Sequence, residues 1–171
     1  MKSKRTLSVV CDSGVIIHLD ELGLLSLLSD FGRVIATETV SLEVAKHRSI
    51  SLSYYGITVL PDSFPDRAIV TISQSFCLHQ GETAVLSMAK LVPGEKIILT
   101  DDTAARIAAN HMGFKVHGTI GILLRAVRRK QQTSTEIAET LRALHLHSTL
   151  YVSRDIIDYA LNELLKYSDG A

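Results

Sequence analysis

The chain has 171 residues, of which 46% are hydrophobic and 21% are charged, and its 18 basic and 18 acidic residues give a formal net charge of zero at pH 7. This length suffices for one domain with a full core and is short for two, and the composition excludes a disordered chain. Because no overall basicity points to nucleic acid, such a partner would have to be bound by a local patch or through metal ions.

Short β-branched runs alternate with helical patterns along the whole chain. In order, the first half predicts a strand over residues 7–10, a helix over 23–32, a strand over 33–36, a short helix over 41–48, a strand over 57–60 and a helix from about 66. The second half predicts a helix over 81–92, the clearest strand over 96–100, a helix over 102–113, a strand over 114–117 and helices over 119–130, 134–147 and 153–167.

Strands separated by helices of this length favour a parallel sheet that is covered on both faces. No linker or repeat interrupts the pattern, which therefore predicts one α/β domain over residues 1–171 with a helical C-terminal end. Thr133 and Glu136 have the spacing of a capping box, and Ser153 precedes the last helical pattern as an N-cap would.

The N-terminal segment MKSKRTLSVVC resembles the start of a secretory signal, but Asp12 interrupts its apolar run after a few residues. No later run approaches the roughly 18 apolar residues that a membrane-spanning helix needs. Cys11 and Cys77 are isolated, have apolar neighbours and lack metal-binding spacing, so they predict buried thiols in a reducing compartment. We therefore expect a cytoplasmic protein that is not bound to a membrane.

Three aspartates follow predicted strands. Asp12 lies within two residues of the end of the first strand, and Asp101 and Asp102 directly follow KIILT. Ligands of open parallel sheets bind beyond the carboxyl ends of the strands, where these side chains would meet if the two strands are adjacent. Each aspartate alone could simply cap a helix, and Asp102 could pair with Arg106 one turn further on. Two in a row are more than one cap needs.

Two glutamates lie on predicted helices. Glu82 is in a first helical turn on the same face as Val85 and Leu86, whereas Glu43 alone would be a surface residue. Two like charges about 4 Å apart repel by roughly 4 kcal/mol at an effective dielectric of 20, so a cluster of four carboxylates would raise its pKa values or hold a cation. Carboxylate-only sites suit Mg²⁺ and Mn²⁺.

The order Asp…Glu…Gly-Glu…Asp-Asp resembles the PIN domain, and in particular the branch related to VapC toxins. The likeness is carried by CDSGVIIHLDELGLLSLLSDFGRVIATETVSLEV and by LHQGETAVLSMAKLVPGEKIILTDDTAARIAANHMGFKVHGTIGILLRAV. It covers about residues 7–130 with matching order and spacing, while residues 131–171 match less distinctively. It implies a PIN-like three-layer α/β/α domain with a central parallel sheet.

The resemblance also implies a metal-dependent ribonuclease. Asp12, Glu43, Glu82 and one or both of Asp101 and Asp102 would be the catalytic, Mg²⁺- or Mn²⁺-binding acids. Because Asp101 and Asp102 are adjacent, which of the two is the fourth acid stays open, and we call this pair the doublet. Relatives that have threonine, any residue, then aspartate favour Asp102 as the metal-facing residue, which would leave Asp101 to cap the helix, with the reverse as the alternative.

Weaker candidates surround these acids. Ser13 and Thr100 could hydrogen-bond a carboxylate or a metal-bound water, or make ordinary turn and strand-end bonds. Arg106 could contact substrate phosphate, although its ion pair with Asp102 is favoured. A basic run at the end of one helical pattern either complements the helix dipole or contacts nucleic-acid phosphates, and it comprises Arg125, Arg128, Arg129 and Lys130. The seven scattered histidines predict no site, and 5% aromatic residues argue against base stacking.

We therefore expect an endoribonuclease acting on RNA, the toxin of a type II toxin–antitoxin pair with a cognate antitoxin protein as partner. The apolar stripe of the last helical pattern, and the frequency of pairing among relatives, favour a homodimer. One alternative is a catalytically inactive PIN-fold module that binds nucleic acid or protein. A metal-dependent phosphatase is less favoured, because the chain lacks the lysine and hydroxyl expected around a single dominant aspartate.

Overall fold

The computed structural model describes residues 7–167, and all five predicted strands form within it. They are β1 (Ser8–Cys11), β2 (Arg33–Thr37), β3 (Ile57–Leu60), β4 (Lys96–Leu99) and β5 (Lys115–His117). All pairings are parallel, in the order β3-β2-β1-β4-β5, so β1 and β4 are neighbours at the centre of the sheet. Cys11 lies opposite Leu99, and therefore Asp12 and Thr100 leave the sheet side by side.

Helices cover the sheet and extend beyond it. They are α1 (Ser13–Glu21), α2 (Glu38–His47), α3 (Arg67–Ser75), α4 (Gln80–Leu91), α5 (Thr103–His111), α6 (Thr119–Arg128), α7 (Ser134–Arg142), α8 (Leu144–His147) and α9 (Arg154–Leu165), with 3-10 helices at Leu25–Phe31 and Leu52–Tyr55. Helix α4 packs across β1, β2 and β4, and α2 packs on both α1 and α4. The predicted three-layer α/β/α class is confirmed.

Three local predictions were wrong. Helix α1 was not predicted, because the β-branched pair Val15–Ile16 follows a strand closely and hides the helical period, although both residues are fully buried. The helix predicted over 23–32 ends before Gly32 as expected, but it is shorter, Leu25–Phe31, and is a 3-10 helix. The pattern over 134–147 breaks at Ala143, so that α7 and the single turn α8 replace one helix.

The two cysteines also differ from each other. Cys11 is buried at the end of β1, as predicted, whereas Cys77 is exposed and has a positive φ of 53°. The sequence prediction of two buried thiols was therefore wrong for Cys77, because this residue lies in the turn after α3 rather than in an element of the core. No helix within residues 7–167 combines the length and apolar character needed to cross a membrane.

The C-terminal helices pack against the main domain through α6, which contacts both α7 and α9. The capping box of Thr133 and Glu136 is present at the start of α7, as predicted. Only part of the predicted apolar stripe on α9 is buried, since Ile156 and Leu165 are 49% and 70% exposed. Between α8 and α9 the chain returns to the carboxyl edge of the sheet, where Ser148 and Thr149 contact Glu21 at the end of α1.

Candidate active site

A cleft of about 440 Å³ lies beyond the carboxyl ends of β1 and β4. All five sequence-predicted acids line it, and we call it the acid cleft. Its wall comprises Asp12, Ser13, Gly14, His18, Glu43, His79, Gly81, Glu82, Asp101, Asp102, Thr149, Leu150 and Tyr151. The adjacency of β1 and β4, which sequence alone did not reveal, brings the acids together.

Asp12 is the most buried of these acids, with 6% of its surface exposed. Its backbone is extended and it caps α1, where one carboxylate oxygen accepts the Ser13 amide at 2.9 Å. The other oxygen accepts the Thr100 hydroxyl at 3.0 Å from the neighbouring strand end. Both oxygens are thus fixed by donors, and the predicted hydrogen bond from Thr100 to a carboxylate is confirmed.

Glu43 and Glu82 are placed by the packing of α2 on α4. The Ser13 hydroxyl donates to Glu43 Oε2 at 2.7 Å, which confirms the predicted role of Ser13 as a donor to a carboxylate. Gly81 allows this approach, because a Cβ there would lie 2.6 and 2.7 Å from the two Glu43 oxygens. Glu82 lies in the first turn of α4, where its Oε2 accepts the backbone amide of His79 at 2.6 Å.

The doublet divides its roles differently from the favoured prediction. Asp102 caps α5 by accepting the Ala105 amide at 2.7 Å, so the assignment of the cap to Asp101 was wrong. Asp101 instead accepts from the Thr119 amide and hydroxyl at 2.7 and 2.6 Å, and contacts His18 Nδ1 at 2.8 Å. It therefore connects the end of β4 to both α6 and α1.

Charge and burial act together on the pKa values of these acids. Burial is the main cause that raises the pKa of Asp12 to about 6, and the nearby Glu82 and Glu43 add to it against the hydrogen bonds from Thr100 and Ser13. Burial, followed by the charges of Asp102 and Glu43, also raises the pKa of Glu82. Burial and neighbouring carboxylates therefore disfavour the ionised form of both Asp12 and Glu82.

Asp101 behaves differently from the other acids. Burial would raise its pKa, but the hydrogen bonds from His18 and Thr119 outweigh this and hold the pKa of Asp101 below its usual range. Both of its oxygens accept hydrogen bonds within the described chain. The hydrogen bonds within the described chain thus stabilise the charge of Asp101, whereas the pKa of Asp12 is raised although each of its oxygens also accepts a hydrogen bond.

The donor set fits a hard divalent cation, although the ligands are not preassembled. Among residues 7–167, no three acidic, histidine or cysteine side chains already converge as a metal site. Each of Glu43, Glu82 and Asp102 uses one oxygen for a cap or a hydroxyl and leaves the other without a protein partner among the described residues. Mg²⁺ and Mn²⁺ prefer carboxylate oxygens as ligands, and the cleft offers such oxygens around the buried Asp12.

The structure separates the basic residues from this cleft. Arg125 and Arg129 both pair with Asp30, and Arg125 also lies over the Phe31 ring at 4.1 Å. Their helix α6 begins beside Asp101 and has ten residues, so its last turn, where Arg128 lies, is about 15 Å from the cleft. A phosphate-binding role stays a prediction for Arg125, Arg128, Arg129 and Lys130. Of these residues, Arg125 and Arg129 already pair with Asp30.

Arg106 does not pair with Asp102 within the described chain, so the favoured ion pair was wrong. Its Nη1 instead donates to the Thr100 carbonyl at 3.4 Å, and it would contact any side chain placed on Gly118. Asp102 is occupied as a helix cap, which removes the geometry of a simple pair one turn apart.

Sequence reasoning missed His18 and the C-terminal residues Thr149, Leu150 and Tyr151, all of which line the acid cleft. His18 had been given no role because the contact with Asp101 joins residues 83 positions apart, which no local pattern reveals. The C-terminal wall depends on how α8 and α9 fold back, which is equally invisible in spacing.

A family model described as a PIN domain matches residues 8–166. Searches of curated proteins and of solved structures gave no match. The family match covers most of the chain, including every acid of the cleft and the C-terminal helices that the sequence resemblance left out. Together with the five-stranded parallel sheet and its flanking helices, this shows that the chain belongs to the PIN-domain family.

Proposed function

We propose that this protein is a Mg²⁺- or Mn²⁺-dependent endoribonuclease. PIN domains are generally nucleases, which supports hydrolysis of a phosphodiester at the coarse level. The observation that carries the finer proposal is the convergence of Asp12, Glu43, Glu82 and Asp102 on one cleft in which two of their pKa values are raised. A cation bound among these carboxylates would relieve their mutual repulsion.

Asp12, Glu43, Glu82 and Asp102 are the residues that would hold the metal in this proposal. Asp101 is given a positioning role instead, because the hydrogen bonds from His18 and Thr119 lower its pKa, whereas the pKa of Asp12 stays raised despite its own two hydrogen bonds. When bound, a divalent ion activates water and neutralises the charge that develops on the phosphate.

The protein's own contribution is positioning. Thr100 and Ser13 hold Asp12 from two sides, and Ser13 also holds Glu43, so one serine orders two acids. Asp101 fixes the start of α6 and the side chain of His18 at the edge of the cleft. These hydrogen bonds restrict Asp12 and Glu43, which lowers the cost of orienting these two carboxylates when a metal and the phosphate bind.

The biological setting follows the VapC-like resemblance. The chain is proposed to be the toxin of a type II pair, neutralised by an antitoxin protein, and to act in the cytoplasm. A homodimer is proposed through the C-terminal helices, where Ile156, Tyr159 and Leu165 are 49%, 62% and 70% exposed. Ile156 and Leu165 belong to the predicted apolar stripe of α9, and Tyr159 is a further exposed ring on the same helix.

A PIN-fold module without catalytic activity is the second candidate, because three of the acids also serve as helix caps. Asp12, Glu82 and Asp102 each accept a backbone amide at a helix start, and a purely structural role would need no more. The raised pKa values of Asp12 and Glu82 argue against it, since acids kept only for capping are not expected to gather where they repel one another.

The decisive experiment is cleavage of labelled single-stranded RNA by the purified protein. We expect cleavage with Mn²⁺ or Mg²⁺, none in EDTA, and recovery when the metal is restored. A phosphomonoester offered in parallel should stay intact. Turnover of the phosphomonoester instead of RNA would indicate a phosphatase, and no turnover of either with any divalent ion would leave the binding module as the better description.

Gly81→Ala is expected to separate activity from stability. The new Cβ would occupy space within 2.7 Å of both Glu43 oxygens, so the flexible carboxylate must move away. A misplacement of about 1 Å can cost about 100-fold in rate, whereas alanine is favoured over glycine by up to about 1 kcal/mol within a helix. The measurements are RNA cleavage and a thermal melt in EDTA.

The matched control is Gly14→Ala, also in the first turn of a helix at the cleft. A Cβ there would lie 3.7 Å from His18 Cε1 and 3.9 Å from Asp12 Oδ2, which are ordinary van der Waals distances. This control should keep its cleavage rate. If Gly81→Ala cleaves RNA at the wild-type rate, Glu43 need not occupy its observed position for cleavage.

A further inference from the structure

The segment between α8 and α9 forms one wall of the acid cleft and is fastened to α1. Glu21 accepts from the Ser148 hydroxyl at 2.9 Å, from the Thr149 amide at 2.7 Å and from the Thr149 hydroxyl at 3.1 Å. Partial burial would raise the pKa of Glu21, but these hydrogen bonds outweigh it and hold the pKa below its ordinary value. Leu150, only 9% exposed, anchors the segment in the protein.

Tyr151 follows this anchor and projects from the wall. It is 92% exposed, so its ring is available to solvent beside a cleft lined by carboxylates. A side chain held on a fastened segment costs little conformational entropy when its ring binds a ligand, because the backbone is already ordered. Tyr151 is therefore an exposed aromatic ring carried by an ordered backbone at the edge of the acid cleft.

A second cleft, of about 570 Å³, begins on the other side of the same segment. Leu150 and Tyr151 line both clefts, so the two clefts adjoin at the tyrosine. The second cleft carries Arg142, Arg154 and His145 on its wall. Arg142 makes no ion pair with any residue from 7 to 167, and Arg154 reaches only Asp158, at 3.9 Å.

The low aromatic content argued against base stacking, but Tyr151 is an exposed ring at the edge of the cleft. We propose that Tyr151 stacks on a base of single-stranded RNA and that the second cleft binds the adjoining backbone. This inference rests on the proposed nuclease function and assigns its substrate path. The acids would face the scissile phosphate, the tyrosine a neighbouring base, and Arg142 and Arg154 the next phosphates. Stacking on an exposed ring combined with basic residues along the backbone is how single strands are bound without sequence preference.

This path replaces the sequence-predicted basic patch as the route for RNA. The patch lies at the far end of α6, and two of its arginines pair with Asp30. Arg142 has no such partner within the described residues and shares a cleft with Tyr151. A protein partner on this surface would instead bury Tyr151 between copies or chains, which the experiment below detects as a change in mass.

The test measures binding of labelled single-stranded RNA by fluorescence anisotropy in EDTA, so that no turnover intervenes. Tyr151→Ala should raise the Kd for RNA by about 5- to 100-fold. The Kd of Tyr151→Phe should stay within about twofold of the wild-type value because the ring remains. Arg142→Gln should lower the slope of log Kd against log salt by about one, as expected for the loss of one phosphate contact.

Cleavage kinetics with Mn²⁺ add an independent readout. Tyr151→Ala should raise KM with kcat unchanged, since binding rather than chemistry is altered. The matched control is Tyr54→Ala, an 83% exposed tyrosine on the 3-10 helix Leu52–Tyr55, which lines neither cleft and should change nothing. Thermal melts of these variants should coincide with that of the wild type.

Three results would overturn the inference, and they are distinguishable. RNA binding by Tyr151→Ala equal to that of the wild type removes the stacking role of Tyr151 while leaving the nuclease proposal intact. A change in mass by light scattering, with RNA affinity unaltered, assigns Tyr151 to a protein interface. Wild-type protein that neither binds nor cleaves RNA removes both proposals together.

Discussion

Asp12→Asn is expected to lower the rate of RNA cleavage by at least about 100-fold, the scale on which loss of one preorganised electrostatic group is felt. Asp12 is the most buried acid of the cleft and lies between Glu43, Glu82 and Thr100. Asparagine keeps the shape and can still cap α1, because its side-chain oxygen can accept the Ser13 amide. The variant removes the charge and also places an NH2 group beside Thr100, whose hydroxyl must rotate to accept instead of donating.

The same substitution is expected to abolish most of the stabilisation by metal. A ligand at about 100 times its dissociation constant stabilises the folded state by roughly 2.7 kcal/mol, which corresponds to a rise in Tm of about 5–10 °C for a chain of this size. Wild-type protein should show this rise with Mn²⁺, and Asp12→Asn should not. Thermal melts with and without Mn²⁺ provide the measurement.

The doublet offers a sharper comparison under the same conditions. Asp102→Asn should lose the response to metal while keeping its helix cap, whereas Asp101→Asn should keep much of the response and lose stability through its contacts with His18 and Thr119. Asp155→Asn, in the exposed first turn of α9, is the control for loss of a carboxylate. A full metal response in Asp12→Asn would refute the proposed metal site.

The second large effect is a pH dependence of stability in EDTA. The pKa of Asp12 is about 6 in the folded chain, against its ordinary value of 3.8. Between these values the folded state binds more protons than the unfolded state, so ionising Asp12 destabilises the fold as the pH rises. The cost is absent below about pH 4, and it approaches about 3 kcal/mol above about pH 7.

Asp12→Asn has no carboxylate to ionise at this position and should escape this cost. We expect its free energy of unfolding, relative to that of the wild type, to improve by about 3 kcal/mol between about pH 4 and pH 7. Acids with lowered pKa values, such as Glu21 and Asp30, act in the opposite direction but are common to both proteins. Urea unfolding in EDTA across this range measures the difference, and parallel curves would show that Asp12 is not desolvated in solution.

Much of the fold could be predicted because strands and turns have local signals. The β-branched runs and the glycine at position 113, which has a φ of 79°, mark elements without help from the rest of the chain. Helix α1 and the break at Ala143 were missed because tertiary packing, not local periodicity, decides them. In α1 only three residues separate the buried Val15 and Ile16 from the end of the strand before them.

The candidate site was predictable in its residues but not in its contacts. Carboxylates at strand ends are readable from spacing, yet the bond from Thr100 to Asp12 joins residues 88 positions apart and exists only because β1 pairs with β4. The choice between Asp101 and Asp102 as the cap also depended on this tertiary setting, since Asp101 is drawn away by Thr119 and His18. Tyr151 had no signal at all, because only the return of the C-terminal chain brings it to the cleft.

Helix α1 links the whole site mechanically. Within one capped helix of nine residues, Asp12 at the first end connects to β4, His18 connects to the doublet, and Glu21 in the last turn connects to the C-terminal wall. A shift of this helix would displace the acids of the cleft and the C-terminal wall as one rigid part. Substitutions on its buried face, at the fully buried Ile16 and Leu19, are therefore expected to alter the geometry of the cleft as well as the stability of the chain. A change that harms the proposed activity need not lie in the cleft.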